Sequence, residues 1–99
     1  MNLIKINGTV VELKTDYGTL IRQIAQDGVY AEINPMDSNM ILLTRTNGMI
    51  DLVDSFGAIF RNITNDATMA RFNGTELAVT KRDGTIEIRS IMGAMLRMV

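Results

Sequence analysis

The side chains of this chain that can do acid–base or nucleophilic chemistry are few in kind. Its 99 residues include no cysteine and no histidine. Thiolate nucleophiles, thiolate metal sites and the usual imidazole base are therefore excluded. Among what remains are eleven acids, ten lysines and arginines, and the serines Ser38, Ser55 and Ser90. No glycine loop of the phosphate-cradling kind and no nucleophile elbow is present. Paired carboxylates suffice for glycoside chemistry, but spacing singles out no two of the eleven. We therefore expect a non-catalytic protein without cofactor or metal, a hydrolase with acidic catalysts being the remaining enzymatic alternative.

Several polar residues nevertheless recur at matched positions. Gln26-Asp27 and Asn65-Asp66 occupy the same place in two similar segments, and Arg45, Lys81 and Arg82 lie beside turns that would share a rim with them. Together they form a candidate ligand-binding rim. The plainer account is that Asp and Asn close turns by bonding nearby backbone N–H groups. Glu12, Asp51 and Glu87 each precede Arg22, Arg61 and Arg97 by ten residues. An antiparallel pair folded about Tyr17, Phe56 or Met92 puts acid and arginine opposite each other on one face. That makes them structural ion pairs, worth roughly 0.2–1 kcal/mol each and helping to fix register, rather than an anion-binding triad.

The elements that must position these residues come from an internal repeat. Tyr17-Gly18-Thr19-Leu20-Ile21-Arg22-Gln23-Ile24 matches Phe56-Gly57-Ala58-Ile59-Phe60-Arg61-Asn62-Ile63, and both match Met92-Gly93-Ala94-Met95-Leu96-Arg97-Met98-Val99. The glycines are 39 and 36 residues apart. Upstream, each copy has a second turn signal, Asn7-Gly8, Asn47-Gly48 and Asp83-Gly84, read as type I′ hairpins. Alternating apolar residues between these turns give strands a to d, all-β throughout, arranged as three imperfect β-meanders. The first, 1–26, is short. The second, 27–65, and the third, 66–99, have four strands. Both faces of the c–d hairpins are apolar, which implies sheets covered on both sides. Tyr17 and Phe56 are read as packing anchors, and Met92, Met95 and Met98 as gap-fillers of a core or seam.

A four-stranded unit of about 40 residues covered on both faces resembles the blade of a β-propeller, carried here by segments such as Thr80-Lys81-Arg82-Asp83-Gly84-Thr85-Ile86-Glu87-Ile88. The tryptophan–aspartate dipeptide of one large propeller family is absent. The resemblance implies a ring of four to eight blades, which one chain does not complete. Self-association is then expected, two chains giving about six blades. The alternative is a β-trefoil-like monomer. The segment Asn34-Pro35-Met36-Asp37-Ser38-Asn39 breaks the repeat and is a candidate partner loop.

Ten basic against eleven acidic residues leave a net charge of −1, without the basic excess of a nucleic-acid binder. No apolar run reaches the length that spans a bilayer, and the first residues do not read as a signal peptide. The expectation is a cytoplasmic, homo-oligomeric binding module for a small ligand or protein partner, without nucleic-acid or membrane contact. A structural component of a larger assembly, for instance of a phage, is the alternative.

Overall fold

Five of the hairpin turns follow one hydrogen-bonding rule. In the loops 15–19, 54–58, 90–94, 45–49 and 81–85, the first residue donates its N–H to the carbonyl of the last, and the glycine donates back to the first. Only the glycine has positive φ, between 85° and 90° in four of the loops and 92° at Gly93. This is the three-residue hairpin loop that ends on a left-handed residue. It corrects the type I′ expectation for Asn47-Gly48 and Asp83-Gly84: a third loop residue relieves the first two of any positive φ. Asn47 and Asp83 instead accept the N–H of Met49 and Thr85 at 3.0 Å. Asn7-Gly8 is shifted too, since Asn7 pairs with Val10 and the loop is Gly8-Thr9.

The computed structural model describes residues 2–99 as three antiparallel sheets. The first has the order β1 (Asn2–Asn7), β2 (Val10–Thr15), β3 (Leu20–Ala25). The second runs β4 (Gly28–Asn34), β5 (Asp37–Arg45), β6 (Ile50–Val53), β7 (Ile59–Thr64). The third runs β8 (Ala67–Asn73), β9 (Glu76–Lys81), β10 (Ile86–Ser90), β11 (Met95–Met98). The chain is all-β.

The second sheet lies between the other two because its strands are apolar on both faces. Side chains alternate with period two, so Ile41, Leu43 and Val53 pack with Val11, Leu13 and Ile24 of the first sheet. Leu42, Ile50, Leu52 and Ile63 pack with Ala67, Ala70, Leu77 and Val79 of the third. Each such Leu or Ile contributes roughly 1.5–3 kcal/mol when fully buried. The two seams are built alike. β1 packs on β4 as β5 packs on β8, and one backbone bond crosses each seam, Gly28 N–H to Thr9 O at 2.9 Å and Ala67 N–H to Gly48 O at 3.0 Å. Among the described residues no ladder joins one sheet to the next and no barrel closes, which corrects the trefoil alternative. The stack is elongated, 39 × 26 × 19 Å.

The segment that breaks the repeat is not a long loop. Its turn is only Pro35-Met36, and β5 already begins at Asp37. Ile33 pairs with Ile41 but Asn34 with Asp37, whereas Phe72 and Asn73 pair evenly with Leu77 and Glu76. Ser38, Asn39 and Met40 are therefore bulged, absorbing the three residues by which the second repeat exceeds the third. Asn39 Oδ1 fixes the bulge by accepting from Ser55 N and Oγ at 3.0 and 2.7 Å.

Candidate functional site: the repeated arginine at the sheet seams

The expected pairing between strands c and d holds for one rung after each turn: Lys14 with Leu20, Val53 with Ile59, Arg89 with Met95. An extra residue then enters strand d, Ile21, Phe60 or Leu96, and the register moves by one. A bulge of this kind turns every following side chain to the other face. Arg22, Arg61 and Arg97 consequently oppose Leu13, Leu52 and Ile88, not Glu12, Asp51 and Glu87. The three expected ion pairs do not form. Glu12 pairs with Lys14 at 3.8 Å, Asp51 with Arg45 at 2.7 Å, and Glu87 with Arg89 at 2.9 Å.

Freed from the acid, the arginine faces the following sheet. The Arg22 guanidinium lies 4.1 Å from the centroid of the Phe56 ring, a cation–π contact worth about 0.5–2 kcal/mol. Its Nε is buried and finds no hydrogen-bond partner among the described residues, so the ring is its chief compensation. Arg61 repeats the gesture one seam on, with Nη1 donating to the Met92 carbonyl at 3.4 Å. Arg97 has no such turn within reach and pairs with Glu76 at 3.0 Å instead. The turn glycines complete each seam. A Cβ on Gly57 would lie 2.6 Å from Ile24 O, and one on Gly93 3.7 Å from Ile63 O. Nothing stands within 4 Å of the same position on Gly18.

The candidate ligand rim is largely neutralised by its own members. Arg45 Nη1 binds Asp27 at 2.6 Å and its Nε binds Asp51. Burial opposes the Arg45 charge, but the hydrogen bonds and charges of Asp51 and Asp27 outweigh it and raise its pKa. Asp66 faces Arg82 at 3.7 Å and is held at φ 56°, a conformation that Asp tolerates better than most. Lys81 donates to Thr64 Oγ1 and to the Asn65 carbonyl at 3.2 and 2.6 Å. The Gln26 carbonyl accepts from Thr9 Oγ1 at 2.7 Å. Asp27 and Asp66 are thus each brought against the b–c turn of the sheet that follows them, and the charges that meet there form internal pairs. Among the described residues no group of three acids is placed to hold a metal. The partner-loop residues Asn34, Pro35 and Ser38 line, with Asn2 and Ile33, an apolar cavity of about 380 Å³ beside β1.

Two packing expectations need correction. Tyr17 is 93 % exposed, and Met92, Met95 and Met98 are exposed rather than buried in a seam. With Leu20, Ile21, Phe56, Ile59, Phe60 and Leu96 they make an apolar border along β3, β7 and β11 and the turns before them. Sequence reasoning missed this border because the bulge is invisible to pairing arithmetic. The signal that was available is the arginine itself, repeated at the same distance after each turn glycine.

No helix of the described residues is long and apolar enough to cross a membrane. Fold and seams together define an all-β protein of three antiparallel sheets repeated along one chain. No protein-family model matches the chain, and no curated protein matches it in sequence.

Proposed function

We propose that this chain is a non-catalytic interaction module, a propeller-like arc of three sheets that functions by associating with further copies of itself. The observation that carries the reading is a comparison of equivalent residues. Ile50 is fully buried and Ile63 5 % exposed where the third sheet covers them. Their counterparts on the third sheet, Ile86 and Val99, are 38 % and 79 % exposed. Two apolar positions covered in the second sheet are thus uncovered in the third, while Ile88, at the place of Leu52, stays buried within its own sheet's surroundings at 4 %. A repeat array normally ends on a polar face, and uncovered apolar surface with a polar surround marks an association site. The neutralised rim of Asp27, Asp66, Arg45 and Arg82 favours this reading over ligand capture.

Light scattering across a dilution series tests it. The expected result is a mass that is a multiple of the 11.0 kDa chain, falling on dilution. A constant single-chain mass at every concentration up to the solubility limit overturns the proposal.

A further inference from the structure

We infer that the second copy docks head to tail: the outer face of the third sheet receives the first sheet of the next copy, with Arg97 against the ring of Tyr17. This rests on the self-association just proposed and specifies its geometry. The argument is continuity with the two seams inside the chain. At each, an arginine of strand d reaches the residue before the turn glycine of the following sheet, Arg22 to Phe56 and Arg61 to Met92. At each, that glycine faces the carbonyl of the aliphatic residue two positions after the arginine, Gly57 to Ile24 and Gly93 to Ile63. The third member of each series is present but unmatched within the chain. Arg97 and the Val99 carbonyl stand at the tail, and Tyr17 and Gly18 stand at the head with open space around them. A cation at one end and an aromatic ring at the other are complementary in the way the first seam already uses.

The head is fit to be covered despite its charges. Glu12 and Lys14 sit where Glu87 and Arg89 sit on the third sheet, and the latter pair is largely buried in the second seam with its charges matched at 2.9 Å. A head-to-tail contact is heterologous, so it propagates until it closes. Two copies bring six sheets into the ring and three copies nine, and only six falls within the four to eight blades that such rings hold. The occupant is therefore a second copy, and the assembly a closed dimer with two identical junctions.

Charge exchange tests the contact. Tyr17 and Arg97 are both largely exposed in the single chain, but Arg97→Glu gives up the Glu76 pair, so Arg97→Gln serves beside it as the variant without a like-charge contact and circular dichroism checks the fold of each. Arg97→Glu alone and Tyr17→Lys alone should each raise the dimer dissociation constant about tenfold or more, the scale of a lost cation–π contact at two junctions at once. The double variant should recover most of the loss, because a carboxylate at the tail then attracts an ammonium at the head across each junction. A wild-type dimer left unchanged by both single variants overturns the head-to-tail geometry while sparing self-association. Single-variant losses without recovery in the double variant also overturn the contact. A wild-type chain that never dimerises overturns both this inference and the reading beneath it.

Discussion

Where the first two sheets meet, a glycine faces a backbone carbonyl, and replacing that glycine isolates the seam energetically. Gly57 and Gly84 close loops of the same kind, with φ of 87° and 90° and the same bond from the glycine N–H at 3.0 Å. An alanine at either position takes on left-handed strain of about 1–2 kcal/mol. At Gly84 nothing lies within 4 Å of the new methyl group, so the strain is the whole cost. At Gly57 the methyl would lie 2.6 Å from Ile24 O, which belongs to the backbone of the first sheet. Backbone cannot swing aside as a side chain does, and overpacking of this kind adds about 1–3 kcal/mol. For a domain this size each kcal/mol moves the melting temperature by about 4–8 °C. We expect Gly57→Ala to melt lower than Gly84→Ala by at least about 4 °C, compared at equal protein concentration because association raises Tm. Equal losses in the two variants would refute the claim that the sheets meet backbone to backbone at this point.

The remaining expectations are smaller and independent. Thr44 is fully buried and its hydroxyl has no partner among the described residues; such a group costs about 1–3 kcal/mol, so Thr44→Val should raise the urea midpoint, and a lowered midpoint would mean the hydroxyl is satisfied. Tyr30 donates to Glu32 Oε2 at 2.8 Å, and this bond first, then burial, then the Glu32 charge raise its pKa above 10.0. A raised folded-state pKa gives stability that is present below about 10 and lost as pH climbs through the raised value. Wild type should therefore lose stability above about pH 10 faster than Tyr30→Phe, and identical alkaline profiles would remove the bond from the account.

Sequence reading recovered the repeated sheets, the strand inventory and most of the turn positions because each has a local cause. Glycine at positive φ, Asn or Asp beside it, and period-two apolar residues are all visible within a few positions. It failed where one residue is added without any local mark. Ile21, Phe60 and Leu96 look like any strand residue, yet each is the bulge that turns the next arginine from its expected acid to the other face of its sheet. The pairing arithmetic was correct for the rung beside the turn, wrong by one on the next two, and in the first two sheets wrong by two at Val11–Ala25 and Ile50–Thr64. The acids found other cations: Lys14 and Arg89 two residues on in the first and third units, and Arg45 in the second, where Val53 stands at that position. A compensation that the middle unit makes differently is missed by looking for what is the same in all three.

The differences between the units also give the chain a direction, and with it the proposed assembly. The face that each sheet turns toward the following one is apolar in every copy: Val11 and Leu13, then Ile50 and Leu52, then Ile86 and Ile88. The opposite face changes along the chain. At the positions of Leu43 and Val53 in the second sheet, the third has Val79 and Arg89 and the first has Lys5 and Lys14. The head is thus the more charged end and the tail the more apolar one. Burying two lysines beside Glu12 costs desolvation that the internal seams largely escape. The proposed junction between copies is accordingly expected to be weaker than the seams within one. Association that reverses on dilution, while each three-sheet arc stays folded, follows from that inequality.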